Sequence, residues 1–347
     1  MHRHRWSATC PPARGLVVPV GIDPAGTSGP THDQAGGPRW RRTSWGRYVP
    51  VDVDGTRPEQ RVVEQAARLP REGAVTGWAA LRLAGAAFFD GVEPDGVTRQ
   101  PVPLAVGGRK IRADPSVTVH REPLSAEDVV VRSGIRCTRV PRALFDEMRR
   151  VRGWREAVVA MDMVAAAELL SVARMRGYLE PRTSWRRSSQ VVRALPLASD
   201  RSRSPAESRL RLLWVVDAAL PPPLVNQDVF DPRGRLVGIA DLLDPVAGVA
   251  VEYDGADHRT ARRHSRDVER QEAFRRLGLE YVTVTGPDLA RPPLVVARFA
   301  SARERASHIA RERRTWTLRP PEGWAESPSL DELLDHRDWL ASVHARW

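Results

Sequence analysis

Apolar positions along this chain fall into short alternating runs and longer stretches of helical spacing, punctuated by Gly, Pro and Asp. Residues 1–44 show neither period and are rich in Pro, Gly, Arg and His. Such composition predicts disorder, or a start codon set upstream of the true one. His2, His4 and Cys10 are read there as flexible-tail residues. Order is expected near Trp45, where R-Y-V-P-V-D-V reads as a strand. Residues 59–69 read as a helix, and G-A-V-T-G-W-A-A-L-R-L-A-G places a short helix capped at Thr76 or Gly77 and ended by Gly85. Strands follow at 101–106 and 116–120. Pro141 opens a helix in T-R-V-P-R-A-L-F-D-E-M-R-R, and 154–170 forms another. Asp146 and Asp162 lie on these helices as salt-bridge or capping residues, and no catalytic constellation appears in this region.

The polar stretch 183–203 reads as a linker. Beyond it Ser204, Pro205 and Glu207 make a capping box with proline at the first helical position. That helix is expected to stop before Pro221-Pro222-Pro223. Residues 235–243 and 248–253 are two Val/Ile/Leu-rich runs joined by Asp244-Pro245, as in a hairpin. A turn closing on Pro245 and Val246 would set Asp241 opposite Ala250. Strand alternation then gathers Asp241, Glu252 and Asp254 on one face, with Val249, Val251 and Tyr253 on the other. Like charges so close destabilise a fold unless a cation sits among them. A divalent ion with oxygen ligands answers that need, and Mg²⁺ keeps water positions open for a phosphate. The alternative is plain: acids at strand ends are commonly solvated, and Asp254-Gly255 is an ordinary turn signal. Further on, an Arg-rich helix spans 261–277 to Gly278, Glu280–Thr285 is a strand, and 293–314 is a last Arg-rich helix. Ser329 and Glu332 head an amphipathic tail helix that carries Leu333, Leu334, Trp339 and Leu340.

Composition adjusts this picture. The chain has 347 residues and a formal net charge of +11. Such a balance points to an anionic partner, nucleic acid first. Lys110 is the only lysine, so the charge is nearly all arginine; a GC-rich coding bias would produce the same. Cys10 and Cys137 make neither a disulfide framework nor a Cys-rich zinc site. No apolar run approaches the roughly eighteen residues of a membrane span, and a cytoplasmic location is expected.

The pattern S-P-x-E-S-x-L-R-x-L-L, a strand ending in Asp, V-A-V-E-Y-D-G-A-D-H and R-D-x-x-R-x-x-x-F-x-x-L-G, over residues 203–290, resembles the endonuclease-like domain of many actinobacterial proteins. That domain is related to the very-short-patch-repair endonucleases of the PD-(D/E)XK superfamily. The central region is similar to AbiEi-type abortive-infection antitoxins. The resemblance implies an α/β fold: a C-terminal restriction-endonuclease-like mixed sheet flanked by helices (204–314), preceded by a smaller α+β domain (45–182) and followed by a tail (315–347). It implies Mg²⁺, or Mn²⁺ in its place, on Asp241 and Glu252, with the Tyr253 carbonyl as a third ligand and Glu207 holding a metal-bound water. Asp254 occupies the superfamily's lysine position, so His258 is the substitute for orienting water. Asp267 and Arg270 match the helix motif, as an ion pair or a phosphate contact. Arg262, Arg263, Arg266 and Arg270 are the expected DNA-backbone contacts, though an Arg run is also an ordinary solvated face. The implied activity is metal-assisted hydrolysis of DNA phosphodiesters in repair or defence. The competing readings are a non-catalytic antitoxin-type regulator with a DNA or toxin partner, and an interaction protein whose acids are surface charges.

Overall fold

A computed structural model describes residues 7–93, 95–112, 114–255, 261–325 and 327–344; for 261–267 it describes the backbone alone. The chain is an α/β protein of two compact units, residues 1–160 with 167–192 and residues 161–166 with 193–347. Among the described residues, no helix is long and apolar enough to cross a membrane.

The first unit begins with a hairpin, β1 (Trp40–Ser44) and β2 (Arg47–Pro50), followed by α1 (Pro58–Ala66), β3 (Ala74–Val75) and α2 (Gly77–Leu83). Next come β4 (Val102–Ala105), β5 (Val117–His120), β6 (Val129–Arg132), β7 (Ile135–Thr138) and α3 (Val140–Arg150). Helices α4 (Gly153–Ala166), α5 (Val172–Leu179) and α6 (Ser188–Ala194) follow. A five-stranded mixed sheet runs β5-β4-β3-β7-β6. Thr76 is the N-cap of α2 and Pro141 stands in the first turn of α3, as their sequences predict. The β6–β7 hairpin was not expected; it turns on Ser133 and Gly134, both at positive φ.

Residues 7–44 depart from the expected disorder. Cys10 N donates to the Gly85 carbonyl at 2.8 Å, and Val20 exchanges backbone bonds with Tyr48 at 2.9 Å in each direction. Gln60 holds the backbone of Val17 through both ends of its amide. The segment is secured by main-chain bonding rather than by apolar periodicity, so its composition concealed it. The expected linker likewise holds α6.

The second unit contains α7 (Pro205–Leu212), β8 (Leu224–Phe230), β9 (Leu236–Asp244), β10 (Val249–Asp254), α8 (Ala261–Arg276) and β11 (Glu280–Thr285). It closes with α9 (Gly286–Leu289), α10 (Pro292–Ser307) and α11 (Leu330–His344). The sheet order is β11-β10-β9-β8; β8, β9 and β10 pair antiparallel in sequence, and β11 joins β10 in parallel. Strand β8 is an addition to the sequence reading. Its alternation is broken at Asn226, which adopts φ 48°. The final Arg-rich helix stops at Ser307, short of the expected end, because Arg314 turns back to bond the Ala306 carbonyl at 2.8 Å.

This sheet carries core on both faces. Val249 and Val251 pack with Leu210 of α7, Trp214 just beyond it and Phe299 of α10. Ala250 and Leu243 pack with Phe274 of α8 and with Tyr281. Such alternation follows from the period of a strand covered on both sides. The tail contributes Trp316 and Leu318 to the second cluster, while α11 buries only Leu334 and leaves Trp339 largely exposed.

Candidate functional site

The β9–β10 turn fixes the register of the acids. Asp244 Oδ1 accepts the N–H groups of Val246 (3.0 Å) and Ala247 (2.9 Å), and Gly248, at φ 77°, closes on the Asp244 carbonyl. The resulting turn is longer than one centred on Pro245 and Val246. It pairs Val249 with Asp244, Ala250 with Leu243 and Val251 with Leu242. The expected partnership of Asp241 with Ala250 is thus displaced by two residues. A shift of two preserves which face each side chain takes, whereas a shift of one reverses it. Asp241 and Glu252 become the next residues on each strand beyond the last pair.

Both carboxylates are buried, at 4% exposure each. Burying a carboxylate is costly unless its charge is met by hydrogen bonds or a cation. Asp241 Oδ2 accepts the backbone N–H of Tyr253 at 2.8 Å. Glu252 Oε2 is paired with the Arg270 guanidinium, which reaches it from α8. Tyr281, on the neighbouring β11, lies beside Glu252 and Arg270; burial foremost, and the adjacent Glu252, push its phenol well above the ordinary value. Gly238 permits this crowding. A Cβ there would stand 3.0 Å from the Phe274 ring and 3.1 Å from Arg270 Cδ.

Glu207 takes the structural of its two readings. Ser204 Oγ accepts the Glu207 N–H (3.2 Å), and Glu207 Oε2 accepts from Arg203 N (2.9 Å) and from Asn226 Nδ2 (2.7 Å). The carboxylate thereby clamps the start of α7 to β8, at the point where Asn226 departs from regular strand geometry. Asp254 ends β10, opposite Thr285. Among the described residues, no group of three or more His, Cys, Asp or Glu could hold a metal ion. The expected convergence of Asp241, Glu252, Asp254 and Glu207 on one ion is not seen among the described residues. Glu207 is held by its cap and Asn226, and alternation leaves Asp254 at the strand end. His258 lies outside the described residues, as do the side chains of Arg262, Arg263, Arg266 and Asp267. Arg270, expected on the DNA backbone, is bound to Glu252.

As a donor set, two carboxylates and the Tyr253 carbonyl are hard oxygens of the kind Mg²⁺ takes. They suit the ion in chemistry and in neighbouring register, with the Arg270 guanidinium as the internal cation that competes for Glu252. Sequence reasoning found both acids. It did not find the pairing of Glu252 with Arg270, for which only the R-D-x-x-R spacing on α8 gave a signal.

Asp146 and Asp162 are held by arginines and hydrogen bonds, as their helical positions predict. Asp146 accepts from Thr76 Oγ1 (2.7 Å), Arg142 Nε (3.0 Å) and Arg149 Nη2 (2.6 Å). Burial pushes its carboxyl up, but Arg142 foremost, with His120, Arg149 and Thr76, outweighs that and holds it below the ordinary value. Asp162 is bonded by Ser199 N and Ser208 Oγ and paired with Arg211; there burial prevails and the carboxyl is raised.

No protein-family model, curated protein or solved structure matches this chain.

Proposed function

We propose that this chain is a metal-dependent DNA endonuclease, hydrolysing phosphodiester bonds in repair or in defence against foreign DNA. The observation that carries the proposal is the pair of buried carboxylates, Asp241 and Glu252, each one residue beyond the last paired position of the two middle strands of a helix-flanked mixed sheet. Asp241 and Glu252 would hold Mg²⁺ or Mn²⁺, with the Tyr253 carbonyl beside them. The bound ion supplies a polarised phosphate oxygen and a water of lowered pKa. Arg270 orients Glu252, and Tyr253 N–H fixes the Asp241 carboxylate. His258, assigned from sequence alone, takes the proton from the attacking water. Arginines of α8 contact the DNA backbone, which positions a duplex without reading its sequence.

One observation favours a second reading. A buried Glu252 already neutralised by Arg270 needs no further cation, as in a DNA-binding antitoxin-type regulator whose nuclease fold has lost catalysis. Cleavage of supercoiled plasmid and of mismatched duplex with Mg²⁺ or Mn²⁺ separates the two. Under the nuclease reading the wild type nicks, and Asp241→Ala and Glu252→Ala each lose about a thousandfold in rate, the scale of several kcal/mol of charge stabilisation. DNA binding that persists in both variants, with no metal-dependent nicking by the wild type, establishes the regulator instead.

A further inference from the structure

The β1–β2 hairpin turns through Trp45 and Gly46, with Gly46 at φ 64°. Trp45 is 71% exposed. An indole offers one of the largest apolar surfaces a chain can bury, and a turn has no structural need to present one to water. Two guanidinium groups lie over this ring, Arg112 at 4.6 Å and Arg42 at 5.2 Å from its centroid. Trp45, Arg47, Lys110 and Arg112 line a cleft of about 380 Å³, together with Leu69 and Pro70.

The charge around the ring is one-sided. Arg42, Arg47, Lys110 and Arg112 are all exposed, and none forms a salt bridge among the described residues. The nearby acids are engaged elsewhere: Asp114 pairs with Arg68 at 2.8 Å, and Glu72 with Arg109 at 3.9 Å. The hairpin thus gathers cations on and around a largely exposed indole and leaves them without carboxylates. A ligand suited to it carries regular negative charge and flat π surfaces at close spacing. An acidic peptide supplies the charge without the π face. A duplex supplies phosphates but hides its bases in the stack. A single strand supplies both, and aromatic platforms flanked by basic side chains are how such strands are held.

We propose that the β1–β2 hairpin is a binding site for single-stranded nucleic acid. An unstacked base lies against Trp45, and the flanking phosphates are met by Arg42, Arg47, Lys110 and Arg112. The site belongs to the first unit and requires neither cleavage nor a metal ion. Its success or failure is therefore independent of Asp241 and Glu252.

Fluorescence anisotropy of a labelled short oligothymidylate, titrated with the full chain at low salt, tests the proposal. A duplex of the same length serves as the comparison, and melting curves establish that each variant is folded. Trp45→Ala is expected to weaken single-strand binding about tenfold, and Trp45→Phe to retain most of it. Replacing Arg42, Arg47, Lys110 and Arg112 by Gln should flatten the dependence of log affinity on log salt by about 0.7 per charge removed. The proposal is overturned if Trp45→Ala binds unchanged, if it loses duplex and single-strand affinity equally, or if the wild type does not bind the single strand.

Discussion

Asp146 in the first unit and Glu252 in the second are both buried acids facing arginine, yet their surroundings differ in kind. Asp146 has both oxygens bonded, lies wholly inside, and shares its arginines with Asp128 and Glu122. It is inserted where α2, α3 and β5 meet, and every partner is part of the scaffold. Glu252 sits near the end of its strand beside Asp241, and its cation arrives from one neighbouring helix and remains partly exposed. The first arrangement is closed and leaves no access for a ligand. The second is neutralised by an arginine that is itself partly exposed. Buried charge alone therefore does not mark a site; what marks it is whether the neutralising partner can be exchanged.

The largest effect that would sharpen this contrast is on the closed cluster. Asp146→Ala leaves Arg142 and Arg149 buried without their shared carboxylate, which is expected to cost about 3–5 kcal/mol in urea denaturation. A loss of only a few tenths would show the cluster to be less closed than its geometry implies.

A smaller effect is expected from removing the exchangeable partner. Arg270→Met should lower the melting temperature in the absence of metal and tighten Mn²⁺ binding about tenfold by titration calorimetry, because the ion no longer competes with a guanidinium. Unchanged or weaker Mn²⁺ binding would place Arg270 with the scaffold arginines. The comparison would then collapse.

The smallest effect is titration beside Asp146. Burial lowers the pKa of His120 from its ordinary value of 6.5, so the folded chain keeps it neutral where the unfolded chain would protonate it. The unfolded state then binds more protons, and stability falls as the pH drops below about 6.5, by at most about 1.4 kcal/mol per unit. His120→Phe should remove that slope in denaturation curves taken about one unit either side. A slope that survives the substitution would assign the titration to another group.

Much of the second unit was legible because its strands are Val-rich, alternating and bounded by Asp-Pro and Asp-Gly. Both acids of the candidate pair could be named, and their common face survived an error of two in register. The register itself was hidden because the Asp244 side chain, rather than the turn dipeptide, sets the turn length. Strand β8 was hidden by Asn226, whose left-handed backbone interrupts the alternation and whose amide holds Glu207. In the first unit, β1 was concealed by its arginines, and residues 7–39 by their dependence on backbone bonds to distant elements. The pairing of Glu252 with Arg270 joins a strand to a crossover helix, and no local pattern encodes that contact.

The meander of β8, β9 and β10 is built from neighbours in the chain, whereas β11 reaches β10 only after all of α8 has been made. Local pairings form early and parallel ones late, since loop closure precedes their reward. During synthesis, then, β10 emerges with its outer edge open and its last acids already in place. An unpaired Val-rich edge is a template for other chains. The charges at Glu252 and Asp254 would keep the half-made sheet from joining its neighbours.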